Sequence, residues 1–367
     1  MSKQTPLAEL HRELGAKLVD FAGWAMPVRY GSETAEHHAV RTAAGLFDLS
    51  HMGEVEVRGP EAARALDRAL VGRPSAIRVG GARYSMICAQ DGGTIDDLVV
   101  YRLAEDSYLV VANASNSDEV AAELTARAQG FDAAVHDAST EWALVAVQGP
   151  RAAEVVAAVS DADVASLKYY SIARARAAGH EVLLARTGYT GEDGFEVYCR
   201  PDAAEDVWRA ATAAGEPVGL VPAGLSCRDT LRLEAGMPLY GHELTRSTTP
   251  FEAGLGRVVV FGKPDGFVGE EALRRRRDDG PAEVLVGLTT SGKRSPRAGQ
   301  QVLDPETGTA VGTVTSGSPS PTLGHPVAMA YVPGGLSDPG TALEIDVRGT
   351  REPAVVVQLP FYTRSQH

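Results

Sequence analysis

Apolar residues change their spacing several times along this chain, and each spacing predicts a different kind of element. Leu7, Leu10 and Leu14 recur at helical intervals after Thr5 and Pro6, and Gly15 closes the run, which predicts a capped amphipathic helix. A second helix is predicted from Glu33 to Ala44, stopped by Gly45. Val55 and Val57 then mark a strand, 60–70 a helix, and 84–88, 97–103 and 108–112 three further strands. A helix over 117–128 and a strand over 133–136 complete this stretch. A strand–helix–strands–helix–strand order suits a small α+β layer with both helices on one face.

From Trp142 the pattern resumes with a strand over 144–147, a helix over 152–159 and paired runs ending at Leu184 and Val197. A helix is predicted over 222–235, with Gly236 as its left-handed terminator. After Phe251 the character changes. Short apolar runs near Val284, Val302, Val311, Val327, Leu343 and Val355 are separated by Gly, Pro and Ser, the spacing of a small all-β barrel. No internal repeat or long low-complexity linker stands out, and domain boundaries are expected near Leu49, Asp137 and Thr249.

Composition narrows the function classes. The 367 residues are 44% hydrophobic and 23% charged, an ordinary globular balance, and the length favours two or three domains. A net charge of −13 without a basic arm argues against nucleic acid as a partner. Arg274–Arg277 lies between Glu270-Glu271 and Asp278-Asp279 and reads as a solvated helix end. Cys88, Cys199 and Cys227 are scattered and odd in number, which points to a reducing compartment. With no signal-peptide pattern and no apolar run of membrane-spanning length, a soluble cytoplasmic protein with no membrane partner is expected.

Three segments carry candidate chemistry. In Gly92-Gly93-Thr94-Ile95-Asp96-Asp97-Leu98-Val99-Val100-Tyr101, two adjacent acids lead into a β-branched strand. Neighbouring strand residues face opposite ways, so the acids cannot share one task, and at least one must border a pocket. Asp97 shares its face with Val99 and Tyr101. The second segment, 187–198, packs Gly188, Gly191 and Gly194 with Glu192, Asp193 and Glu196. The glycines permit positive φ and close backbone approach, and Glu196 follows in an alternating strand. There it is either a solvated edge acid or a carboxylate able to accept two parallel N–H bonds from a flat heterocycle. In the third segment, 224–236, Arg228 and Arg232 share a helix face. Arg228 either pairs on the surface with Asp229 or Glu234, or reaches a ligand anion or another domain. His37, His38 and His51 with Asp48 read as structural, and no metal is expected. No nucleophile elbow, zinc-helix or phosphate-loop motif is present, and Ser50-His51 has no evident third partner.

These segments, in this order, resemble the glycine cleavage T-protein (aminomethyltransferase) family. The resemblance rests also on Phe21-Ala22-Gly23-Trp24-Ala25-Met26-Pro27-Val28-Arg29-Tyr30, on Gly45-Leu46-Phe47-Asp48-Leu49-Ser50-His51-Met52-Gly53, and on Gly312-Thr313-Val314-Thr315-Ser316-Gly317 with Pro319-Ser320-Pro321-Thr322-Leu323. It implies an α+β fold of three domains in a cloverleaf around a central folate channel. The first domain would be discontinuous (1–49 plus 138–249), a ferredoxin-like domain would be inserted over 50–137, and a C-terminal β-barrel would occupy 250–367. The implied reaction moves the methylene of an aminomethyl group from the lipoyl arm of H-protein to tetrahydrofolate, the co-substrate, and releases ammonia. No metal is needed.

In that frame Asp97 is the catalytic acid and Glu196 grips the pterin ring. Arg228 binds substrate, and Met52, Tyr84, Asn113 and Tyr189 line the channel. Arg297 would lie near the folate or the carrier-docking face, and Tyr362 would close the pocket. The carrier is acidic in this family, so docking needs a basic patch, for which Arg294 and Arg297 are candidates. The family's motifs depart here only at Ala25, where an acid is common, and over 292–297. Three related folate proteins are rivals: a demethylase acting without a carrier, a fused amine oxidase, and an iron–sulfur assembly factor. The chain is short for the oxidase and lacks its dinucleotide-binding half, and 266–273 lacks the assembly factor's cysteine.

Overall fold

A computed structural model describes residues 2–364. Its centre is a six-stranded sheet in the order Ile172–Ala177, His180–Ala185, Gly194–Cys199, Ala143–Gln148, Ala44–Asp48, Leu220–Pro222. All neighbours are antiparallel except the last pair. Helices Ala152–Val159 and Ala204–Gly215 cover one face, burying Val155, Val156, Val207 and Trp208 against Val145, Val147, Phe195 and Val197. Ala44–Asp48 pairs directly with Ala143–Gln148, and the Leu49 amide continues the ladder to the Leu144 carbonyl at 2.8 Å.

The chain between these two strands builds a sheet of its own. Its order is Ala82–Cys88, Thr94–Ala104, Ser107–Ala112, Gly53–Arg58, Ala134–Asp137, all antiparallel. Helices Ala62–Ala69 and Ser117–Arg127 pack on one face over Val55, Val57, Leu98, Val100 and Val110, the layer that the sequence pattern predicts. The opposite face turns toward the central sheet. Tyr101, Leu109 and Val111 meet Leu144, Leu183 and Tyr198 there in one apolar seam.

Each of the six apolar runs after Phe251 falls in a strand of a closed barrel, in the order Glu283–Thr290, Pro326–Pro333, Ala310–Pro319, Gln301–Leu303, Ala342–Val347, Thr350–Val357. The chain leading to it runs back across the inserted sheet. Thr94 donates its amide to the Thr248 carbonyl at 2.9 Å and to that of Thr245 at 3.2 Å. A Cβ on Gly93 would lie 2.0 Å from the Arg246 carbonyl oxygen, so only glycine admits this crossing. The arginine-rich run is the end of helix Glu270–Asp279, where Arg274, Arg275 and Arg277 pair with Glu270, Glu271 and Asp278. Among the described residues no helix is long and apolar enough to cross a membrane.

Some elements differ from expectation. The second helix ends at Thr42 because Ala44–Asp48 is a strand, buried at all five positions. An apolar run with no exposed side has no periodicity to separate strand from helix. Thr5 caps nothing: its hydroxyl donates to Asp48 at 2.6 Å, Asp48 also bonds His11 at 2.8 Å, and Leu14 is exposed. The third-segment helix begins at Leu225, with Pro222 in an edge strand where its missing N–H does no harm. The hairpin Lys17–Phe21 with Trp24–Arg29 and the alanine-rich helix Ala204–Gly215 join these as elements the apolar pattern left unassigned.

Candidate active site

Both acids lie inside strand Thr94–Ala104, which runs between two others in its sheet. Alternation separates them. Asp96, fully buried, follows the helix-side face of Leu98 and Val100 and accepts from the Asn113 amide at 2.9 Å and from Asn116 Nδ2 at 2.7 Å, tying down the Asn113–Asn116 turn. Asp97 points to the other side, into a cavity. Tyr84 donates its hydroxyl to Asp97 Oδ2 at 3.0 Å, and Asn113 donates Nδ2 to Oδ1 at 2.9 Å. Burial pushes both carboxyls above the ordinary aspartate range. For Asp96 the neighbouring Asp97 charge adds to this, while Tyr84 and Asn113 hold Asp97 back.

Glu196 comes from the central sheet. In Gly194–Cys199, Phe195 and Val197 enter the helix-covered core, so Glu196 and Tyr198 face the seam. Three hydroxyls converge on one carboxylate oxygen, Oε2: Thr187 at 2.5 Å, Tyr101 at 3.1 Å and Tyr198 at 3.4 Å. Oε1 has no protein donor among the described residues. The other two acids of this segment are neutralised locally, Glu192 by Arg41 at 3.0 Å and Asp193 by Arg186 at 2.6 Å. Of the three glycines only Gly191 has a positive φ, of 80°. Gly188 and Gly194 pack on the Gln148 side chain, where a Cβ would lie 2.0 and 2.3 Å from its amide.

Helix Leu225–Glu234 supplies the cation. Arg232 pairs with Asp229 at 2.7 Å and Glu243 at 3.0 Å. Arg228 pairs with no carboxylate among the described residues; its guanidinium lies 4.8 Å from the centre of the Tyr189 ring. The Tyr189 hydroxyl donates to the Pro238 carbonyl, fixing the ring.

Asp97, Glu196, Arg228, Tyr84, Asn113, Tyr189 and Met52 all line one cavity of about 370 Å³. A second cavity, of about 650 Å³, reaches Phe21, His51, Asn116, Ser226, Tyr240 and His242. Met52, Asn113, Tyr189 and Arg228 line both, so the first, inner cavity and the second, outer one adjoin at these four side chains. Tyr101, Thr187 and Tyr198, which orient Glu196, escaped the sequence reading as site residues; Tyr101 carried a usable signal, sharing the strand face of Asp97.

Two expected site residues lie elsewhere. Arg297 does not reach the channel: it is on the barrel surface, donating Nη1 to the Gly317 carbonyl at 2.7 Å, and lines a basic cleft with Lys293, Arg294 and Arg348. Tyr362 lines neither cavity. Its ring lies 4.1 Å from the Arg41 guanidinium and its amide donates to the Glu234 carbonyl at 2.8 Å, so it braces a helix end instead of closing the pocket. Among the described residues no group of three or more His, Cys, Asp or Glu is arranged to hold a metal ion.

An α+β core with an inserted antiparallel layer, a closed C-terminal barrel and an acid-lined channel at their junction define a glycine cleavage T-protein fold. Family comparison agrees. Residues 7–263 match the GCVT N-terminal domain and residues 284–363 the glycine cleavage T-protein C-terminal barrel domain. The chain belongs to this family. It is 56% identical over 363 residues to an aminomethyltransferase of Saccharopolyspora erythraea, covering 99% of each chain. It is 46% identical over 365 residues to the aminomethyltransferase of Bacillus subtilis, covering 99% of this chain and 100% of that one. The crystal structure of glycine cleavage system aminomethyltransferase T from Bartonella henselae superposes with a TM-score of 0.91 at 38% identity, covering 99% of this chain and 98% of that one.

Proposed function

We propose that the channel transfers the methylene of an aminomethyl group from a lipoyl-bearing H-protein to tetrahydrofolate, releasing ammonia. The observation that carries this reading is the convergence of Asp97 and Glu196, from two different sheets, on one inner cavity. The cavity suits a flat, polar-edged ring: its walls are mostly apolar and aromatic, with few polar groups. Glu196 Oε1 accepts N–H donors at the ring edge, and its orientation is set in advance by the hydroxyls on Oε2. The folate supplies the nitrogen nucleophiles. Asp97 orients one of them, and its charge stabilises the positive charge that develops on the transferred carbon and nitrogen. The carrier's arm enters through the outer cavity. Lys293, Arg294, Arg297 and Arg348 gather positive charge on the barrel of an otherwise acidic chain and suit an acidic carrier. The domain limits at residues 49, 137 and 249 follow the same reading.

The deciding experiment incubates the protein with tetrahydrofolate and aminomethyl-loaded carrier and follows ammonia and methylene-folate. Ammonia released without carrier, or a methyl-folate product, would replace this reading with the demethylase. Two further results are expected. Glu196→Ala weakens tetrahydrofolate binding by calorimetry about tenfold or more, beyond any effect of Asp97→Asn, because it removes a charged acceptor from the ring edge. The pH profile of kcat/KM has its acid limb above the ordinary aspartate range, since burial keeps Asp97 protonated to higher pH. Tyr84→Phe, which deletes a donor to the charged form, moves that limb higher still. An acid limb near pH 4, or one moved downward by Tyr84→Phe, would contradict the assignment.

A further inference from the structure

His51 has no part in the chemistry described so far, and its surroundings are unusual. The side chain is 4% exposed and meets Phe21 edge-on, with ring centres 5.6 Å apart. Nδ1 is sealed from solvent without a hydrogen-bond partner. Nε2 has no protein partner among the described residues either, but it is not sealed, and the ring lines the outer cavity. An unpartnered buried N–H is harder to accommodate than an unpartnered lone pair, so the single proton of the neutral ring belongs on Nε2, where the cavity can satisfy it. The ring stays neutral: burial pushes its pKa down to about 4, the Arg228 charge pushes the same way, and Asp48 opposes them only in part. The result is an uncharged donor facing a chamber that is also lined by Arg228.

The position of this donor in the channel suggests its target. In the proposed transfer, which this inference presupposes, the folate fills the inner cavity and the carrier's arm the outer one. The carbon crosses at the neck of Met52, Asn113, Tyr189 and Arg228, and the sulfur lies just outside it. His51 precedes Met52 in the chain and lines that outer side. We propose that His51 is an uncharged hydrogen-bond donor, through Nε2–H, to the sulfur that leaves the transferred carbon. The carbon–sulfur bond breaks with its electron pair going to sulfur, and folate nitrogen takes the carbon. Of the two N–H protons that the folate loses, one completes ammonia and the other converts the thiolate to thiol. A neutral donor stabilises the sulfur anion without repelling the cationic carbon–nitrogen unit beside it, which an imidazolium would do.

His51→Leu and His51→Gln test this, with tetrahydrofolate binding measured by calorimetry as the check on folding. His51→Leu is expected to bind folate as the wild type does and to lose turnover about tenfold to a hundredfold, in kcat more than in KM. His51→Gln, whose amide N–H falls near the Nε2 position, recovers most of it. With aminomethyl adducts of thiols of graded acidity, His51→Leu depends more steeply on thiol pKa than the wild type, a signature that loss of packing alone does not produce. Equal turnover in His51→Leu, or an unchanged dependence on thiol pKa, would overturn the role of His51 while leaving the folate reading intact. So would nitrogen-15 spectra of histidine-labelled protein placing the His51 proton on Nδ1. A wild-type protein that releases no ammonia from loaded carrier overturns the transferase reading, and this inference with it.

Discussion

Asp97→Asn is expected to fold, to bind tetrahydrofolate, and to turn over loaded carrier about a hundredfold to a thousandfold more slowly. The substitution changes no heavy-atom shape. The Tyr84 hydroxyl can accept as well as donate, so the side chain keeps a partner on that side. What disappears is a full negative charge held in a buried cavity, where solvent screens it poorly. In the proposed transfer the loss falls in kcat, because there the carboxylate would act on charge that appears only as the carbon moves, whereas Glu196 and the aromatic walls would act in the ground state as well. Steady-state kinetics at saturating folate and carrier separate the two. A variant with wild-type kcat removes Asp97 from the chemical step, whatever happens to KM.

The second large effect concerns stability. Glu234, the last residue of helix Leu225–Glu234, is fully buried. It accepts from Arg41 at 2.8 Å, from the Thr322 hydroxyl at 2.7 Å and amide at 3.1 Å, and from the Ser320 hydroxyl, and it lies 3.2 Å from His37. One carboxylate thus joins the helix of Glu33–Thr42, its own helix and the barrel. Glu234→Ala leaves Arg41 with Glu192 as its one carboxylate among the described residues and strands the Ser320 and Thr322 donors, and a loss of about 3–5 kcal/mol is expected. Thermal and urea midpoints should both fall. Glu234→Gln keeps acceptors for part of the set and should lose less.

Acid acts on the same carboxylate. Burial pushes its pKa up, but the bonds from His37, Ser320 and Arg41 outweigh that and bring it from 4.5 to about 2. A depressed carboxyl pKa contributes stability above its unfolded value, and that contribution is lost as pH falls through the folded one, so it fades between about pH 4.5 and 2. A Glu234→Ala protein as stable as the wild type, or equally sensitive to acid in that window, would contradict this account.

What could be read in advance follows physical lines. The barrel was legible because its apolar runs are short and punctuated by turn residues, and because strands such as Ala310–Pro319, Ala342–Val347 and Thr350–Val357 alternate between buried and wetter positions, although Pro326–Pro333 is buried at all but its last residue. The separation of Asp96 from Asp97 follows from strand geometry alone. The strand Ala44–Asp48 was not legible, because burial on every side erases periodicity. Nor was the partner of Thr5, 43 residues along the chain at Asp48. Arg297 and Tyr362 were placed by motif, and motif order says nothing about which wall of a barrel a residue faces. The converse error concerns Tyr101 and Tyr198, whose apolar bodies fit a core reading while their hydroxyls reach Glu196.

The crossing at Gly93 has a consequence for how the protein is made. The acid-bearing strand is clasped by residues 245–249, some 154 positions later in the chain. A nascent polypeptide that has emerged only as far as the Asp97 sheet therefore holds that carboxylate without the segment that secures its strand. The clasping contacts have high sequence separation, and such contacts form slowly. Folate can stabilise this protein only once synthesis has passed that clasp, so ligand rescue of a folding defect should act late, on chains already complete through the second half.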